Sequence, residues 1–223
     1  MRKARIWELK SRWDLLEVAS FNTGTFPEPL AFSLRAWDYL RHHRNTFDLL
    51  HDNQCLGWGL VLLQEWNNFP ILSTIHHPIT VDRRLEIAHA RNLWESFSMR
   101  RWYAFTKMQS RVARRMARIM TVSESSKLDI VADHGVASER IHVVPVGVDP
   151  SMFRPLPNVK RFPGRIVTTA SADVAMKGLK FLLEAVAKLR TERSVELVII
   201  GKPTDGSASS NVFTDLGLTD CVS

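Results

Sequence analysis

Three short stretches combine reactive side chain types with a spacing that chemistry can use. His76-His77 stands before Pro78, directly after the apolar β-type run Ile71–Ile75. Adjacent side chains leave an extended chain on opposite sides. No cluster of Cys, His or carboxylate stands nearby at ligand spacing. The pair therefore implies one imidazole aimed into a cleft, and no metal is expected; the plain alternative is a histidine satisfied by the backbone. Asp52-Asn53 offers a carboxylate and an amide just past another strand-like run. Lys177-Gly178 opens a helical pattern after the polar loop Ser171-Ala172-Asp173. The first N–H groups of a helix have no internal partner, and the helix dipole favours an anion there. A lysine at that mouth adds a full charge, and a glycine lets a ligand approach the backbone. This is phosphate chemistry without the Walker A or GxGxxG spacing, neither of which occurs in the chain.

The elements that must hold these groups read as α/β. Phe47–His51, Ile71–Ile75, Ile119–Val122 and Ile141–Val144 are strand-like runs. A helix is expected over Leu30–His42, and another over the basic segment before the third run, with apolar positions at Trp102, Phe105, Met108, Val112, Met116 and Ile119. Ser123–Asp133 follows the third run, with Ser123 and Ser126 as candidate caps. Further on, Arg165–Ala170, Lys177–Arg190 and Val195–Ile200 spell strand, helix and strand, a βαβ unit with parallel strands. Three prolines in residues 148–157 separate the two zones, and all seven tryptophans lie in the first 102 residues. The expected organisation is one domain over 1–147, a linker over 148–163 and a second domain over 164–223. Parallel sheets of this kind bind ligands off the carboxyl ends of their strands, where all three chemical stretches fall.

Composition narrows the function classes. Of 223 residues 45% are hydrophobic and 24% charged, the balance of a folded chain with room for one or two cores. No apolar run reaches the ~20 residues of a membrane span. The basic, amphipathic N-terminus lacks the apolar stretch of a secretory signal, so Cys55 and Cys221 read as reduced thiols in a cytoplasmic protein. The net charge of +7 is concentrated: residues Arg83–Arg118 carry ten basic side chains against Glu86 and Glu95, and everything else nets about −1. Such a patch suits a phosphorylated substrate, a peripheral contact with anionic lipid or, less well, nucleic acid.

Taken in order, STIHHPITVDRR, IMTVSESSKLDIV, IHVVPVGVDPSMFRP, TTASADVAMKGLKFLLEAV and LVIIGKP resemble a retaining glycosyltransferase of family 4 with the GT-B fold. The resemblance covers about residues 45–203. It implies two Rossmann-like domains, the first mainly for the acceptor and the second mainly for a nucleotide diphosphate sugar of UDP or GDP type, with no separate cofactor. It further implies that His76 reaches the transferring sugar, that Lys177 with Gly178 grips the donor pyrophosphate, that Ser171 stands where many members have an arginine, and that Asp52 and Asn53 border the acceptor pocket. The acceptor would be a hydroxyl, including lipid-linked ones. The family's late E-x7-E motif is matched formally by Glu184 and Glu192, but at ~1.5 Å per residue Glu192 would stand ~22 Å from the phosphate end of the helix. The resemblance thus implies a chain truncated at both ends. Two other classes stay open at this point: a non-catalytic nucleotide-binding or interaction module, and a nucleic-acid binder using Arg83–Arg118.

Overall fold

The computed structural model describes residues 9–169, 178–201 and 215–222. The chain divides into two compact units, Met1–Gly147 and Val148–Ser223.

The first unit is built on a four-stranded, wholly parallel sheet in the order β1 (Leu50–Asn53), β2 (Ile71–Thr74), β3 (Arg118–Thr121), β4 (Ile141–Val143). Two helices precede it, α1 (Arg12–Asn22) and α2 (Glu28–Leu40). α3 (Trp58–Glu65) joins β1 to β2, and α7 (Glu124–His134) joins β3 to β4. Between β2 and β3 run α4 (Ile79–Ala88), α5 (Leu93–Trp102) and α6 (Phe105–Ala113). Local chemistry explains the boundaries. Ser11 starts α1 with a reciprocal capping box to Asp14. Pro29 sits in the first turn of α2, where its missing N–H costs nothing. Ser123 caps α7 by accepting from the Ser126 N–H, and Gly135 ends that helix in the left-handed conformation with φ 65°.

The core lies between the sheet and its helices. Leu63, Ile75, Val112, Met116, Ile119 and Ile130 are fully buried there. α2 and α3 touch backbone to side chain: a Cβ on Gly59 would fall 1.8 Å from the Ser33 carbonyl oxygen, and the Gly59 N–H instead donates to Ser33 Oγ at 3.2 Å. Any larger residue at that position must push the helices apart.

Two expectations are corrected. The first strand lies at Leu50–Asn53 rather than Phe47–His51. The Leu50 N–H donates to the Pro70 carbonyl and the register pairs Leu50 with Ile71 and Asn53 with Thr74, so pairing continues through polar residues while Phe47 and Leu49 remain exposed. The basic segment is not one helix. Asn92 caps a new start by accepting from the Glu95 N–H, and the apolar spacing from Met108 through Val112 to Met116 belongs to α6 and the turn after it.

In the second unit β5 (Arg165–Thr168) and β6 (Glu196–Ile199) pair in parallel, and α8 (Leu179–Arg190) lies between them in sequence. Leu183, Val186, Leu197 and Leu218 make its core. Arg165 and Glu196, directly opposite in the register, form a two-point ion pair at 2.8 and 3.1 Å.

Candidate functional site at the carboxyl ends of β1 and β2

Because β1 and β2 are parallel neighbours, their carboxyl ends place residues 52–54 beside residues 74–77. A closed set of hydrogen bonds follows. Gln54, in the left-handed region with φ 62°, accepts from the His76 N–H through Oε1 at 2.8 Å and donates from Nε2 to the His77 carbonyl at 2.9 Å. One side-chain amide thus grips the His76-His77 dipeptide at both its ends. His76 Nε2 stands 2.8 Å from Asn53 Oδ1. An amide oxygen only accepts, so Nε2 carries the hydrogen and the neutral ring keeps the lone pair of Nδ1 for another donor. The side chain of His76 is exposed at the strand ends. The outcome is an imidazole of fixed tautomer and direction, ready to accept from a hydroxyl.

The neighbouring turn is held from below. Gln54 and Leu56 both have positive φ, a conformation that costs a non-glycine residue about 1–2 kcal/mol. Asp52, 6% exposed, offsets this by accepting from the Cys55 N–H at 3.1 Å and the Leu56 N–H at 3.3 Å. Burial pushes the Asp52 carboxyl above its ordinary range, and the two N–H donors pull it back. Asp52 therefore braces the turn, while Asn53 beside it faces His76. Burial, with the Asp52 charge adding to it, pushes the Cys55 thiol up to about 12, which removes it as a nucleophile near neutral pH. Gln109 on α6, 2% exposed, donates to the carbonyls of Gln54 and Cys55 at 3.2 Å each. Gln109 was not singled out from the sequence. The signal was present, since position 109 falls four residues after Phe105 and three before Val112, on the inward face of α6.

His77 points elsewhere: its Nε2 lies 3.2 Å from Asp82 Oδ2 in the first turn of α4. The start of α4 is fastened to the end of α7, where Asp133 receives the Thr80 hydroxyl and both hydrogen bonds of Arg84 Nη1 at 2.8 Å.

In the second unit, Ser171 and Lys177 lie outside the described residues. Gly178 precedes α8 as its cap with φ 66°, a conformation that favours glycine, although a Cβ there would meet nothing closer than 3.9 Å. Gly178 has no side chain with which to cap α8, and helix N-termini in general favour an anion. Glu184 lies within α8, near Lys180, and Glu192 lies beyond its end.

A model of Glycosyltransferase Family 4 matches residues 13–152. This chain belongs to glycosyltransferase family 4. It is 46% identical over 215 residues to an MMP alpha-(1->4)-mannosyltransferase of Mycolicibacterium hassiacum, a match covering 96% of this chain and 51% of that protein, so the chain spans about half the length of its relative. Among solved structures it resembles HepE of Anabaena in complex with UDP and glucose, with TM-score 0.58 and 14% identity over 84% of this chain and 50% of that one. A glycosyltransferase from Rickettsia africae gives TM-score 0.55 and 16% identity over 86% and 50%. The family 4 chain is therefore α/β of GT-B type, with parallel sheets in both units.

Proposed function

We propose that this family 4 chain serves in transfer of a hexosyl group from a nucleotide diphosphate sugar, of UDP or GDP type, to a hydroxyl acceptor with retention at the anomeric carbon. The observation that carries the reading is His76, fixed by Asn53 and Gln54 at the carboxyl ends of β1 and β2, in a chain 46% identical to a mannosyltransferase. That relative makes mannose the first sugar to try, and the UDP and glucose bound by HepE support a nucleotide donor.

Among the described residues next to His76, the Asp52 carboxylate is turned into its own loop rather than held free as a nucleophile. Front-face transfer fits this. The acceptor oxygen bonds to the anomeric carbon as the bond to the leaving phosphate oxygen breaks. The electron pair stays on that oxygen, which takes the acceptor proton. His76 Nδ1 accepts from a hydroxyl of the transferring sugar and orients it. Lys177 and the first turn of α8 hold the charge that grows on the pyrophosphate, with Ser171 as a neutral hydrogen-bonding neighbour. The basic segment Arg83–Arg118 holds the enzyme peripherally at an anionic membrane surface, where lipid-linked hydroxyl acceptors lie.

The test uses the full-length protein with mannosyl and glucosyl donors of both bases, reading the product linkage by NMR. An α-linked product from an α-linked donor is expected. An inverted linkage, or no transfer from any of these donors, would overturn the reading. Lys177→Ala is expected to lower turnover by about 10²–10³, the usual effect of losing one charge-stabilising contact, while Glu184→Ala stays near wild type. Equal losses from the two changes would refute the role given to Lys177.

A further inference from the structure

α4 and α5, like α1, bury no residue within the first unit. Their ends are fastened: α4 through Arg84 and Thr80 to Asp133, and α5 through Trp102, whose carbonyl accepts from the Phe26 N–H at 3.3 Å and whose ring meets Phe26 at 5.2 Å. The beginning of α5 has no such attachment among the described residues, and no residue of either helix is buried. Its apolar side chains nevertheless face outward. Leu93 is 91% exposed, Trp94 77% and Phe97 48%, with the Trp94 and Phe97 rings 5.9 Å apart. Leu93, Phe97 and Arg100 follow at i, i+4 and i+7, so apolar and basic groups share one helix edge. Arg91 stands just before the helix, and Arg100 and Arg101 close it.

We propose that this edge of α5 is a membrane-docking element: Leu93, Trp94 and Phe97 enter the interface of an anionic bilayer while Arg91 and Arg100 meet its headgroups. The inference rests on the reading of the basic segment as membrane-facing and narrows it to one helix. Charge selects the occupant. The segment around α5 carries an excess of eight positive charges, while the rest of the chain nets about −1, so an anionic surface is its electrostatic complement. Apolar side chains flanked by arginines at the start of an otherwise unburied helix suit the boundary between headgroups and acyl chains, where both parts are satisfied together.

Co-sedimentation of the full-length protein with phosphatidylglycerol-containing vesicles and with phosphatidylcholine vesicles tests this. The wild type should pellet with the anionic vesicles only. Trp94→Ser/Phe97→Ser and Arg91→Gln/Arg100→Gln should each weaken that binding by tenfold or more. Phe181→Ser, a control on α8 that is 72% exposed, should leave it unchanged. No pelleting of the wild type would overturn both the membrane reading and the role of α5. Pelleting that survives Trp94→Ser/Phe97→Ser would overturn the role of α5 alone. Loss of self-association or of oligonucleotide binding in that variant, with vesicle binding intact, would identify a second copy or nucleic acid as the occupant and overturn the proposal. Transfer to a soluble acceptor, measured on the same samples, separates these outcomes from failure of the glycosyltransfer reading.

Discussion

α5 and α6 come from one basic run, are nearly equal in length and both carry aromatic residues, yet they have opposite fates. α6 buries Thr106, Gln109, Ser110, Val112 and Ala113; α5 buries nothing. Phe105, Met108, Val112 and Met116 repeat at three and four residues and leave one continuous inward stripe, whereas Leu93, Trp94, Phe97 and Trp102 do not line up on a single face toward the body. The polar residues differ too. Gln109 spends its amide on the carbonyls of the site turn. The Ser110 hydroxyl donates to the Thr106 carbonyl, so it accepts from Nδ1 of the buried His134 at 2.8 Å. Placement of a helix thus follows where its apolar residues fall and whether its polar ones find partners, not how many apolar residues it has.

The contrast can be broken most sharply beside α6. Met116, fully buried at the end of its stripe, should cost about 2–5 kcal/mol as Met116→Ala, read as a shift in urea midpoint. Gln109→Ala removes both donors from the Gln54–Cys55 turn and should cost about 1–3 kcal/mol. It should also lower kcat more than it raises KM, because the peptide carrying His76 loosens. A smaller, pH-dependent effect belongs to His134, whose pKa burial lowers. The unfolded chain then binds the proton more readily. The stability His134 contributes is complete above its unfolded pKa of about 6.5 and is lost as pH falls from there toward the depressed folded value. Urea midpoints of wild type should therefore drop between pH 7.5 and 5.5 more than those of His134→Gln. The smallest change is expected on α5, where Trp94→Ser should alter stability by no more than about 0.5 kcal/mol. A loss there as large as that of Met116→Ala would show that α5 is packed after all.

The alternation of strands and helices was legible in the sequence because the apolar runs Ile71–Ile75, Ile119–Val122 and Val195–Ile200 each hold a strand of a parallel sheet, which favours such runs. The cap at Ser123 was legible for a local reason, since a hydroxyl and an N–H three residues apart need nothing distant. β1 starts three residues and ends two residues later than expected because its outer half is polar, and its neighbour Ile71–Thr74 fixes the pairing. His76 stood out by position, at a strand end before a proline. Its supports were less visible. Gln54 acts through a left-handed backbone that glutamine seldom adopts, and Gln109 acts across more than fifty residues of chain. The resemblance set Asp52 at the border of the acceptor pocket; that it also braces the turn, through two backbone donors, was not visible in the sequence.

The role proposed for the imidazole of His76, held by Asn53, is in sugar transfer. Steady-state kinetics of full-length His76→Ala, paired with calorimetric binding of the nucleoside diphosphate, tests it most directly. A fall in kcat/KM of about 10² or more is expected, the scale of losing one positioned hydrogen-bonding group at the reacting centre, with nucleotide affinity unchanged. Turnover equal to that of the wild type would contradict it.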